Sequence, residues 1–189
     1  MTKKELLFEE RMAKQRAKRG FCDRDVWSID YWFYNTISPM LKQLAKKHHG
    51  YQILDENGNV IDKDDITHEE AEVFDKRWTD TILHLAFLAD EMNKETCSMK
   101  NPFEKEWRRI HNAFARKYGD LGEKLQTEEE KKAEIHKLYS PEDDPIHGIE
   151  NKKIIDQYLA YERKRSDYME ECKNEFFRLF SKYFWDLWD

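Results

Sequence analysis

Apolar positions along this chain recur at three- and four-residue steps far more often than they alternate, and that spacing predicts helices. Residues ~3–18 read as a charged helix with a narrow stripe of Leu6, Leu7, Met12 and Ala13, stopped by Gly20, which suits the left-handed position at a helix end. In the next segment Val26, Ile29, Phe33, Ile37, Met40, Leu41 and Leu44 mark one face expected to be buried, widened by Trp27 and Trp32. Asp23 or Asp25 is expected to cap this helix, and Gly50 to end it. Pro39 falls inside the pattern, where a missing backbone donor and a clash with the preceding turn predict a kink or break.

The rhythm changes in YQILDENGNVIDKDD. Two short alternating runs flank Asn57-Gly58, a tight-turn signal, and predict a small β-hairpin near residues 51–62 that leans on helices. Thr67 with Glu70 is a capping box opening a helix to about residue 95. Asn101-Pro102 with Glu104 starts another, which carries Phe103, Trp107, Ile110, Phe114 and Tyr118 and stops at Gly119. A polar helix over ~123–139 follows, with Thr127–Glu130 as an internal cap, and then the turn-rich linker SPEDDPIHG. From about 149 the chain reads as one long helix. Ile154, Ile155, Tyr158 and Leu159 begin its stripe, and Met169, Cys172, Phe176, Phe180, Tyr183 and Leu187 continue it. The intervening ERKRSD is polar all round and is expected to cross solvent or bend. The expected architecture is mainly α: a bundle of about five or six helices with one small hairpin. It is organised as a charged N-terminal helix over 1–20 and a single helical domain over 21–189.

Composition sharpens this picture. Charged residues make up 38% of the 189, which alone would favour disorder, but aromatics make up 14%, enough large rings to build a thin core. No apolar run approaches the ~18 residues of a membrane span, the first residues lack a signal-peptide core, and Cys22, Cys97 and Cys172 are too far apart for a CxxC pair. A cytoplasmic location is therefore expected. The net charge of −6 is unevenly spread: residues 11–19 hold five basic side chains and no acidic one, whereas residues 51–75 hold nine acidic side chains against one lysine.

Few residues look chemical. On the helix after Thr67, Asp80, His84 and Glu91 fall within about 40° of one another, with Arg77 beside them. Such a polar stripe can hold a metal or move protons, but a solvent-facing edge of a central helix looks the same, and the paired Glu-x-x-His motifs of a di-metal bundle are missing. His48-His49 lack neighbouring ligands, and HEEAE at 68–72 is not a zinc motif. Without GxSxG, GxxxxGK[ST] or GxGxxG, no catalytic residue, cofactor or metal is expected, and the chain reads as a non-enzyme. Basic residues 11–19 with Arg108, Arg109, Arg116 and Lys117 would suit nucleic acid. The rival reading has the carboxylates Asp62, Asp64, Asp65, Glu69, Glu70 and Glu72 imitate a phosphate backbone before a protein partner. The C-terminal rings Phe176, Phe177, Phe180, Tyr183, Phe184, Trp185 and Trp188 have too few flanking cations for a membrane anchor. They are expected to bury against Trp27, Trp32 and Trp107 or against a second copy.

Three segments carry a resemblance: RGFCDRDVWSIDYWFYNTISPMLKQLAKKHHGY, EMNKETCSMKNPFEKEW with KYGDLGEKL, and NEFFRLFSKYFWDLWD. Over about residues 19–189 the chain resembles a helical family of tailed phages and prophages, largely of gut Firmicutes. It departs from many relatives where Tyr51-Gln52 follows the histidine-glycine pair. The resemblance implies phage origin and expression in a bacterial host; the family has no established activity, so no site residue is carried over. The expected function is a non-enzymatic interaction protein that binds and modulates a host protein, in the manner of a defence inhibitor, with homodimerisation through the last helix. Direct nucleic-acid binding is not favoured and no membrane is involved. The alternatives are a virion or head-assembly protein and a metal-dependent enzyme built on Asp80 and His84.

Overall fold

The structure, a computed structural model, describes residues 2–133 and 137–188. It is mainly helical, with about 70% of residues in helix and no strand among those described. Six α-helices follow in order: α1 Lys3–Arg19, α2 Ile29–Lys47, α3 His68–Glu91, α4 Glu104–Tyr118, α5 Glu128–Lys132 and α6 Gly148–Tyr183. The chain divides into two compact units, Met1–Ser98 with Met169–Asp189, and Met99–Tyr168.

Some local signals act as expected, since Thr67 opens α3, Gly20 ends α1 and Gly119 ends α4; Thr127 starts a short helix and does not cap inside a long one, and the cap at Thr2 was not read from the sequence. Thr2, Thr67 and Thr127 each take the amide of the residue three ahead, and Glu5, Glu70 and Glu130 return a carboxylate to the capping residue's N–H. Gly20 ends α1 at φ 81°, a left-handed conformation that costs a glycine nothing. Helix α4 ends at Gly119.

In the first unit α3 is the central element. Phe74, Trp78, Ile82, Leu85, Ala86, Leu88 and Ala89 are buried along it. Helix α2 packs against α3 and is tied to it by Ser38 Oγ, which donates to Asp90 Oδ1 at 2.5 Å. From α6, Phe176 and Tyr183 are buried. Tyr183 meets Trp78 edge-on at 5.5 Å, and Phe33 of α2 contacts the rings of Phe176, Phe177 and Phe180. Aromatic pairs of this kind add about 0.5–1.5 kcal/mol each beyond the area they bury, so a core of few residues suffices.

The second unit is smaller. Ile110, Phe114 and Ile155 are buried, and Trp107 stacks on Tyr158 with ring centroids 4.6 Å apart. Asn101 Oδ1 accepts from the Phe103 amide while its Nδ2 donates to Tyr158 O and Glu162 Oε1. The expected capping asparagine therefore acts as a clamp between α4 and the start of α6. Arg165 is only 5% exposed and pairs with Glu162. ERKRSD thus runs within an unbroken helix and does not lie wholly in solvent, because Arg165 is buried and paired with Glu162 of the same segment.

Several expectations are corrected. In place of a hairpin at 51–62 there is a single antiparallel bridge, Leu54 to Val60. At the turn the ladder stops because the Asp55 carboxylate takes the amides of Asn57 and Asn59 and Asp55 O takes that of Gly58, while Leu54 O, on the outer side of the bridge, accepts from Arg77 Nη1 at 2.8 Å. Gly58, at φ 74°, is held by Tyr183 Oη and Lys182 Nζ, both donating to its carbonyl. Pro39 does not break α2: its ring is exposed, and Ser38 and Lys42 on either side are anchored to Asp90. That helix ends at Lys47, before Gly50. Helix α3 stops at Glu91, not 95, because Thr96 Oγ1 donates to Asp90 O and Asn93 Oδ1 takes the Glu95 amide, closing the end. Of the polar helix expected over ~123–139, α5 is one short piece; residues 134–136 lie outside the described residues, and 137–140 are not helical. Asp25 caps no helix and instead lies in a 3-10 turn, Asp25–Trp27. The face expected to be buried over 26–44 is only partly so. Leu41 is buried, but Val26 and Trp27, in the 3-10 turn before α2, and Ile29 and Met40, on α2 itself, are exposed. Trp185 and Trp188 are likewise exposed.

Candidate functional site

The two groups of polar residues singled out from sequence fare differently. The stripe on α3 does not converge. Asp80 is exposed and pairs with Lys76 one turn back. His84 is exposed beside the Phe87 ring, with centroids 6.3 Å apart. Arg77 turns away to Leu54 O. Glu91 is 3% exposed, and its carboxylate accepts from the Ser98 amide at 3.0 and 3.1 Å and from Ser98 Oγ at 2.8 Å. The four residues thus meet four different partners, and the buried one fastens the turn after α3. Among the described residues no group of three His, Cys, Asp or Glu side chains could hold a metal ion.

The acidic segment is the larger feature. Asp62, Asp64 and Asp65 lie in the loop before α3, where Asp65 takes a positive φ of 57°, and Glu69, Glu70 and Glu72 lie on the first turns of α3. Glu70 is consumed by structure: it closes the capping box with Thr67 and accepts from Lys63 Nζ at 2.5 Å. Those bonds hold its carboxyl below the usual glutamate range, the Lys63 bond most strongly. Glu72 faces His68 at 3.5 Å. Asp62, Asp64, Asp65 and Glu69 are exposed and form no ion pair among the described residues. Carboxylates near the N-terminus of α3 are favoured by its dipole, so part of this charge stabilises the helix.

Only some of the basic residues considered for nucleic acid face carboxylates. Arg108 pairs with Glu104 and Arg109 with Glu106 along α4, Arg116 donates to Asn112 O, and Lys117 lies 3.9 Å from the buried Asp144. On α1, Arg16 and Arg19 are turned onto Asp25 and Asp23. Periodicity alone did not disclose a further surface over residues 21–32, where apolar side chains stand in solvent. The closely spaced Asp23 and Asp25 after a basic helix were the available signal that this stretch is held by ion pairs and not by packing.

No protein-family model matches the chain, no curated protein is significantly similar to it, and no solved structure matches it. No helix among the described residues is long and apolar enough to cross a membrane.

Proposed function

We propose that the chain is a non-enzymatic, phage-encoded interaction protein that binds and modulates a protein of the bacterial host, acting in the host cytoplasm. The observation that carries this reading is the set of exposed carboxylates Asp62, Asp64, Asp65 and Glu69, none of which is used in an ion pair among the described residues. The concrete form is inhibition of a defence nuclease. Closely spaced carboxylates on a loop and a helix start offer the charge that a phosphate-binding groove accepts, and they steer association with a basic partner. The resemblance to a phage family supports the setting.

The test is affinity capture of the tagged chain from phage-infected cells, run beside a variant with Asp62, Asp64 and Asp65 changed to Asn and Glu69 and Glu72 changed to Gln. Glu70 is retained so that the capping box survives. The expected result is a host protein recovered with the wild type and lost with the variant, at unchanged helicity by circular dichroism. Equal recovery by both removes the acidic surface as the contact. Recovery of capsid, portal or tail proteins, with the chain at stoichiometric copy number in purified particles, would make it a virion component instead.

A further inference from the structure

Helix α1 carries cations on two faces, and the fold uses only one of them. On the inward face Met12 is buried, Arg16 pairs with Asp25, Arg19 with Asp23, and Glu9 with Arg24. Gln15 uses both ends of its amide on Asp23, donating to the carboxylate at 2.7 Å and accepting the Asp23 amide at 2.9 Å. The outward face holds the remaining cations. At 100° per residue, Lys3, Lys4, Arg11, Lys14 and Lys18 fall within a sector of about 100°, with Leu7 near its centre. All six side chains are exposed, and none of the five cations is in an ion pair among the described residues. Arg11 meets only the Phe8 ring, 5.4 Å from its centroid, and Glu10 is the one acid at the edge of the sector.

The inward bonds and the capping box at Thr2 hold α1 as a formed helix, so the row of cations is presented ready for contact. It runs for about 22 Å from Lys3 to Lys18, which matches a regular polyanion better than a single acidic group. A lipid surface fits poorly. Leu6, Leu7 and Phe8 are consecutive and point about 100° apart, so α1 offers no continuous apolar face to bury among lipids. A major groove of B-form DNA, about 12 Å wide, admits a helix, whereas that of duplex RNA is too narrow. Lys3 and Lys14 lie on one side of Leu7, and Lys4, Arg11 and Lys18 on the other, as two walls of phosphate require.

We propose that α1 docks by this outward face along the major groove of duplex DNA. Lys3 and Lys14 meet the phosphates of one strand, and Lys4, Arg11 and Lys18 those of the other. Gln15 is the one amide side chain on α1 and is engaged with Asp23, so the contact is to the backbone and carries little base sequence. The net charge of −6 opposes approach from a distance, so binding is weak and strongest at low salt. This surface is separate from the acidic segment, and the assignment does not depend on the host-partner reading above.

Fluorescence anisotropy of a short end-labelled DNA duplex, titrated with the full chain at several salt concentrations, tests it. The logarithm of the binding constant is expected to fall linearly with that of the salt concentration, with a slope of about −3 to −4.5. Changing Lys4, Arg11 and Lys18 together to Gln is expected to weaken binding at low salt by at least about tenfold and to flatten the slope by about 2–3. Glutamine forms helix about as well as lysine, so the variant should fold, which circular dichroism checks. A control with the same change in net charge on α4 and α6, Lys105→Gln with Lys153→Gln and Lys164→Gln, all exposed, should bind within about twofold of the wild type. The proposal is overturned by a wild type that fails to bind at the lowest salt, or by equal losses in the two triple variants. Duplex RNA or phosphatidylserine vesicles bound as tightly as the DNA would also overturn it.

Discussion

Helix α3 and the stretch over residues 21–32 carry apolar patterns of similar strength, yet one forms the interior and the other faces water. On α3 the stripe meets α2 on one side and Tyr183 on another, and Trp78, Ile82 and Leu85 end fully buried. Over 21–32 the backbone is held by Asp25, Arg16 and the Trp32 indole, and Val26, Trp27 and Ile29 are left exposed. A periodic apolar face states that a surface is apolar. It does not state what covers it, and the presence of carboxylates that can fix a backbone by ion pairs decides between the two outcomes.

Substitutions should separate the two regions by size of effect. Trp78→Ala removes the ring against which Tyr183 packs and leaves a cavity in the core, so it should cost about 3–5 kcal/mol in a denaturant titration. Glu91→Ala leaves the Ser98 amide and hydroxyl without their carboxylate at a buried site and should cost about 2–3 kcal/mol, whereas Glu91→Gln keeps an acceptor and should cost less. Asp25→Asn weakens the Arg16 and Cys22 bonds that hold residues 21–32 by about 1–2 kcal/mol.

That last effect has a pH signature. The Arg16 guanidinium, by its hydrogen bonds, and the Cys22 amide hold the Asp25 carboxyl well below the usual carboxylate range. Its contribution is then complete above the ordinary aspartate value of about 4 and is lost as pH falls towards the depressed folded value. Wild-type stability should therefore drop between about pH 4 and pH 2 by more than that of Asp25→Asn, read from urea midpoints at each pH. Equal slopes would mean that the ion pair does not hold this turn.

What was legible in the sequence follows the range of the interactions involved. Thr67–Glu70, Thr127–Glu130, Gly20 and Gly119 mark their helix ends because a cap is completed within a few residues. The bridge at Leu54 was misread as a hairpin because the Asp55 side chain takes the Asn59 amide that a longer ladder would pair with the Asp55 carbonyl, a competition that alternating hydrophobicity does not show. Glu91 was placed in a polar stripe because nothing in a 100° periodicity reveals that Ser98 folds back over it. Pro39 was expected to break α2, but contacts with Asp90, about fifty residues away, hold the helix on both sides. Of the acidic surface, the clustering was legible, whereas the diversion of Glu70 into the Lys63 pair required the fold.

The comparison itself is tested by making the same change in both regions, Ile82→Glu and Ile29→Glu, and measuring thermal unfolding at a dilution where self-association is negligible. Ile82 is fully buried, so a carboxylate there has no water and no partner and should cost more than about 4 kcal/mol or prevent folding. Ile29 is 65% exposed at the first residue of α2, where negative charge suits the helix dipole, so its variant should stay within about 0.5 kcal/mol of the wild type. A collapse of Ile29→Glu comparable to that of Ile82→Glu would show that residues 21–32 belong to the interior of the monomer, and would contradict the account.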